Sequence, residues 1–209
     1  MQTSRILAIS LVTLLAILHI SPAFAQESTP SASPEASQCT IDPRPVDFLV
    51  GIITAEHPAT TPTPITAVPT GPDVDDATRD AVLTVVYTLT ACVNAGDYLR
   101  AFALFDDGYL RRIIDPDGLM GEDVAYELGK QFEPIHPSAE DDLTRIVRVV
   151  SVAAQADGAV SVAVETSGGV DRDQDDSQID VFVLRQIDGT WKIIDGASDL
   201  SMPEAAATP

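Results

Sequence analysis

Basic residues are scarce in this 209-residue sequence: 12 Lys and Arg stand against 32 Asp and Glu, a net charge of −20. Nucleic acid and anionic membrane surfaces both demand clustered cations, so neither is an expected partner. Histidine is also rare. Only His57 and His136 follow the N-terminal apolar run, and each precedes a proline in linker-like sequence. With two cysteines besides, no Ser/His/Asp or Cys/His catalytic set and no zinc site can be assembled, and no Gly-rich phosphate loop is present. Neither a metal nor a cofactor is therefore expected. Aromatic residues make up only 5% of the chain, but 45% is hydrophobic, so an aliphatic core is within reach. The length suits one domain with extensions.

The extensions begin at the N-terminus. Arg5 precedes an apolar run from Ile6 to Ile20, which closes on Ser21, Pro22 and then Ala23-Phe24-Ala25. These are the parts of a secretory signal peptide over residues 1–25, predicting an exported, extracytoplasmic protein with no membrane insertion after cleavage. A membrane anchor is the alternative, but the run falls short of about 20 residues and is broken by His19 and Pro22. In an exported chain Cys39 and Cys92 most economically form one disulfide; two free buried thiols are the alternative.

Residues 26–38 hold Ser, Pro, Ala and Glu without a large apolar side chain and read as a disordered leader. Residues 39–56 form an apolar arm around Val46, Phe48, Leu49, Val50, Ile52 and Ile53. It is too short to fold alone and is expected to dock, tethered through Cys39. Residues 57–74 return to Pro and Thr, an extended linker. The folded domain is expected over 75–198, followed by a disordered tail at 199–209.

Within the domain, Asp75 and Asp76 mark a helix start, and Val82, Val85, Val86, Leu89 and Val93 recur at helical spacing until Asn94-Ala95-Gly96 ends the run. Asp97 would cap a second helix through Leu99, Phe102, Ala103, Leu104 and Phe105, and a third is expected from Glu122 to Phe132. The period then falls to two. Strands are predicted over Arg145–Ala154, Ala159–Thr166, Ile179–Ile187 and Thr190–Asp195, with Asp157-Gly158 and Asp188-Gly189 as two-residue hairpin turns. Three helices and then a meander predict an α+β fold, the helices packed on one face of a curved antiparallel sheet of four to six strands.

The stretch Asn94-Ala95-Gly96-Asp97 with Ala103-Leu104-Phe105-Asp106-Asp107, and the later Gly189-Thr190-Trp191-Lys192-Ile193, resemble the nuclear transport factor 2-like superfamily, which includes SnoaL-like polyketide cyclases and ketosteroid isomerase. The resemblance spans Asp75 to about Ser198 and implies a cystatin-like cone of sheet and helices. One such scaffold hosts enzymes and plain binding modules alike. Ketosteroid isomerase provides a residue-level comparison, and is itself a familiar case of carboxyl groups tuned by their surroundings. Asp115-Pro116-Asp117-Gly118 is similar to the turn carrying its general base, which implies Asp115 in that role. Ile179-Asp180-Val181-Phe182 is similar to the strand carrying its protonated aspartate, which implies Asp180 as a hydrogen-bond donor. The position of its oxyanion-hole tyrosine falls on Leu89, and Tyr87 lies about 200° around the helix. A turn residue before proline and a solvated strand start are the plainer accounts of the two aspartates.

Asp171, Asp173, Asp175 and Asp176 have the spacing of a calcium loop, but Asp176 and Phe182 stand where an EF-hand needs Gly and Glu, so a solvated acidic loop is the simpler reading. Three functions follow. The leading one is a non-catalytic exported module whose cone holds a small apolar ligand among Leu89, Phe102, Tyr126, Phe132, Phe182 and Leu184, residues that equally suit ordinary core. The second is an isomerase, cyclase or dehydratase using Asp115. The third is assembly, a homodimer formed by pairing Val181 and Val183 across an exposed sheet face.

Overall fold

A computed structural model of the chain describes residues 34–55, 64–114, 123–169 and 176–200. It has an α+β architecture: five α-helices and a four-stranded antiparallel sheet among the described residues.

The arm carries α1 (Val46–Thr54). The domain helices are α2 (Asp76–Asn94), α3 (Tyr98–Phe102), α4 (Asp107–Ile113) and α5 (Val124–Phe132). The Asp75 carboxylate accepts from Thr78 N at 2.9 Å and so caps α2, while Asp76 lies in the first turn, where the helix dipole favours a negative charge. Val82, Val86 and Leu89 are buried at helical spacing. Gly96 ends the turn at φ 65°, and a Cβ there would lie 1.9 Å from His136 O, so both the backbone angle and the close approach call for glycine.

Asp97 caps α3 by accepting from Arg100 N, as its position predicts, but the helix stops at Phe102 instead of Phe105. Residues 103–105 run beside the sheet edge instead. Phe105 bridges Ile193 in parallel, Ile193 N donates to Leu104 O at 2.9 Å, and Asp106 N donates to Ile193 O at 2.9 Å. Satisfying an otherwise bare strand edge wins over extending a short helix. The domain also has a fourth helix where three were expected. Asp106 accepts from Gly108 N and Tyr109 N to start α4, and Leu110 buries its one apolar face.

The strands are β1 (Arg145–Ala154), β2 (Val160–Ser167), β3 (Ser177–Ile187) and β4 (Thr190–Leu200), in the spatial order β1-β2-β3-β4. Asp188 and Gly189 lie at φ 51° and 77° between paired Ile187 and Thr190, a two-residue primed turn. The first hairpin differs. Gln155 N donates to Ala159 O, closing a three-residue loop in which Asp157 and Gly158 both have positive φ. The last strand runs on through Ser198 to Leu200, which pairs with Ile179, so the chain is held further than the expected fraying point.

On the helix side of the sheet, Val160, Val162, Val164, Leu184 and Ile193 join Val82, Val86, Leu89, Leu110 and Leu128 in one apolar cluster. The other side is also covered. Ile65 and Val68, from the Pro/Thr-rich stretch, pack with Val150 and Leu200 over Ala163, Ile179 and Val181. This stretch is tied to β1 by Ala154 N donating to Pro72 O at 2.8 Å and by a bridge between Asp73 and Ala153. Gly71 passes so near that a Cβ would meet Ala154 O at 2.2 Å. Val181 is therefore fully buried within its own chain, which removes it from the sheet-face dimer expected from the sequence.

The arm docks on the helix side. Cys39 and Cys92 form the predicted disulfide, with Cys92 fully buried. Leu49 and Ile52 bury against α4 and α5, but Phe48 stays 45% exposed beneath the Arg44 guanidinium. Five main-chain or ionic ties reinforce the docking. Arg44 N donates to Leu99 O, its guanidinium donates to Asp107 and Phe105 O, Arg100 donates to Ile41 O, and Arg111 donates to Ile52 O.

Candidate functional site

Five of the six residues expected to line the cone meet in the core. Leu89, Phe102 and Leu184 are buried in the main cluster, with Phe132 and Phe182 packed against it. Phe102 and Phe132 stand edge to face with centroids 4.9 Å apart, a favourable aromatic geometry. Tyr126 is the exception, 62% exposed. Leu128 is the buried residue of α5, and a side chain two positions earlier points about 200° away from it, into solvent beside Lys130.

Asp180 sits in β3 on the helix side, 7% exposed. Alternation places it with Phe182 and Leu184, and the diagonal neighbour Thr166 donates its hydroxyl to Oδ2 at 2.6 Å. Gln178 donates Nε2 to Oδ1 at 2.7 Å. Both oxygens are thus occupied as acceptors, whereas the role implied by the isomerase resemblance is that of a donor. Asp115 lies outside the described residues, as do Asp171, Asp173 and Asp175 of the acidic loop. No group of three or more His, Cys, Asp or Glu side chains positioned to hold a metal occurs among the described residues, and no described helix is long and apolar enough to cross a membrane.

A concave feature among the described residues lies on the other side of the sheet. An open cleft of about 430 Å³ is bounded by Ile65 and Pro69, by the β1–β2 hairpin at Gln155, Asp157 and Ala159, and by Arg112 of α4. Its sheet residues are Val183 and Arg185 from β3 and Ile194 and Asp195 from β4. The apolar strap built from Ile65 and Val68 covers Val181 but leaves Val183 half-buried, and the cleft is the room left over.

Two ion pairs stand in it. Arg112 donates to Ile194 O at 2.8 Å and to Asp195 Oδ1 at 3.3 Å, and its guanidinium lies over the Tyr109 ring at 5.0 Å. Behind that pair, burial pushes the Tyr109 phenol's pKa up and the Asp195 charge adds to the shift, with the nearby Arg112 cation opposing. Gly196 makes room for the phenol, since a Cβ there would lie 2.9 Å from Tyr109 Oη. Arg185 pairs with Asp157 through one Nη, while its Nε is shielded from solvent and has no hydrogen-bond partner among the described residues. A buried donor left unpaired costs on the order of 1–3 kcal/mol, so this guanidinium is under-used.

On the same side of β4, Lys192 donates to Ala103 O, and burial lowers its pKa, as does the neighbouring Arg44 charge, against the pull of Asp107. It takes no part in the cleft.

The sequence marks none of the cleft's charged residues as a site; Asp157 stands out only as a turn residue. The signal for Arg185 was present, because a lone cation continues the alternate positions of Val181 and Val183. Nothing local marks Arg112 and Asp195 as partners, because α4 and β4 meet only in the folded chain. The buried disulfide accords with an oxidising compartment. The chain matches no protein-family model, no curated protein and no solved structure.

Proposed function

We propose that this chain is an exported, non-catalytic small-molecule-binding module of the nuclear transport factor 2-like type, a cone of helices on a curved sheet, secreted after cleavage of residues 1–25. One observation carries the binding reading: the open cleft of about 430 Å³, which combines an apolar floor with a few charged groups in the way ligand sites do. The helix-side interior, by contrast, is where Leu89, Phe102 and Leu184 pack against one another. The ligand site is therefore assigned to the outer cleft in place of the cone.

The alternative is an isomerase, cyclase or dehydratase with Asp115 as general base. Its support is the burial of Asp180 on the helix side of β3, among apolar neighbours. Against it stand the acceptor bonds at both Asp180 oxygens and the apolar Leu89 at the oxyanion-donor position. A missing oxyanion donor typically costs about 2.7–4 kcal/mol of transition-state stabilisation.

The test is a titration of the mature oxidised protein with a small-molecule panel, followed by amide NMR, alongside an assay of isomerisation of a β,γ-unsaturated ketone. Saturable shifts centred on Val183 and Ile194, with turnover at background, are expected. Rapid turnover abolished by Asp115→Asn in a folded protein would replace the binding reading by the enzymatic one.

A further inference from the structure

The cleft's charges restrict what can enter it. The Arg185–Asp157 pair is exposed on both sides, the side chains being 42% and 59% accessible, and it lies beside Val183, Ala159, Ile65 and Pro69. A simple anion seated on Arg185 would strand Asp157 next to it, in a chain whose net charge of −20 already repels anions. A simple cation seated on Asp157 would strand Arg185, whose Nε is already without a partner. Either arrangement gives up the existing Arg185–Asp157 attraction for a single new contact, so neither gains on balance.

A molecule carrying both signs a few bonds apart avoids each penalty. We infer that the cleft takes zwitterionic α-amino acids or dipeptides with an aliphatic side chain, inserted into the Arg185–Asp157 pair. The ligand carboxylate takes the Nη end of Arg185, the part of the guanidinium that the cleft leaves accessible, in a bidentate geometry suited to guanidinium. Its ammonium takes the freed Asp157 carboxylate, and its aliphatic chain rests on Val183 and Pro69. Every charge remains paired. The size agrees: about 430 Å³ holds roughly 14 groups of water's share of volume, the scale of an amino acid or dipeptide. Arg112 is not the carboxylate's seat, because its guanidinium is committed to Ile194 O, Asp195 and the Tyr109 ring.

This assignment rests on the binding reading above, and the experiment separates the two. The mature oxidised protein is titrated with L-leucine, N-acetyl-leucine and leucinamide to high millimolar concentration, with amide NMR at Gln155, Asp157, Ala159, Val183 and Arg185 as the readout. Leucine is expected to saturate these shifts, and each blocked analogue to bind about tenfold or more weakly, since each loses one charge-assisted contact. Arg185→Gln and Asp157→Asn should each weaken leucine by a similar factor with an unchanged remainder of the spectrum, which also reports that the variant is folded. Lys130→Gln, on α5 and away from the cleft, should not. Equal binding of the blocked analogues overturns the zwitterion assignment and leaves the binding reading standing. No shift with leucine, but shifts with uncharged apolar molecules, does the same. Absence of any cleft ligand overturns both.

Discussion

Removing the Cys39–Cys92 bridge by Cys39→Ser with Cys92→Ala tests how the arm is held. The bridge closes a 53-residue separation, and loop-closure entropy for that length is worth about 4 kcal/mol, chiefly through the unfolded chain. That figure applies only if the arm stays docked in the native state of the variant. The structure supplies the means: Leu49 and Ile52 are buried, and Arg44, Arg100 and Arg111 each tie arm to domain. Urea unfolding followed by Trp191, the only tryptophan, which packs on the main core, reads global stability directly. The variant should lose about 4 kcal/mol with a denaturant slope equal to or slightly above that of the parent, because the uncrosslinked unfolded chain is more open. A clearly smaller slope would mean that the arm had already left the native state. That result, or a loss below about 1 kcal/mol, refutes the account.

Within the arm, Leu49→Ala should cost about 2–5 kcal/mol in the same assay, while Phe48→Ala, at an exposed position, should change stability by less than about 0.5 kcal/mol. Ser151→Ala should raise stability by up to about 1 kcal/mol, because the Ser151 hydroxyl is buried without a partner among the described residues; a loss in thermal unfolding would show that it has one. Glu165 has its carboxyl pKa lowered below 4.5, first by the hydrogen bond from Arg148, with burial opposing. Its contribution is present above pH 4.5, fades as pH falls through the lowered folded value, and is under about 1 kcal/mol for so exposed a partner. Glu165→Gln should therefore narrow the stability gap to the parent as acid is added; a gap that widens below pH 4.5 has the wrong sign.

The helices and strands whose signals are local were legible. Asp75 and Gly96 bracket α2 because capping and left-handed backbone are properties of single residues. Period-two runs of Val and Ile located the four strands, and an Asp-Gly step the first and last hairpins. The errors arose where another part of the chain decides. Residues 103–105 fit the second helix by pattern, and only the bare edge of β4 explains why they leave it. The acidic pair Asp106-Asp107 reads equally as loop or as helix cap until Leu110 has a core to enter.

The stretch around Ile65 and Val68 shows why the site itself was missed. Pro and Thr at nearly alternate positions predict an extended segment, but composition is silent on whether such a segment lies on something. Two aliphatic residues three apart are too few to register as a pattern, yet together they bury the outer face at Val181. Covering that face alters the meaning of β3. The alternation Val181, Val183, Arg185 first suggests a sticky surface for a second copy. Once the strap lies over Val181, the same alternation becomes the floor of a cleft with a cation at its end. The bridge, the arm and the strap thus belong to one arrangement, in which the arm over Cys39 to Ile53 touches one face of the domain and the strap at Ile65 and Val68 the other. The domain expected at 75–198 does not bound the candidate site by itself, because Ile65 and Pro69 form one of its walls. A chain starting at Asp75 would therefore lack part of the cleft as well as the cover over Leu128 and Leu110.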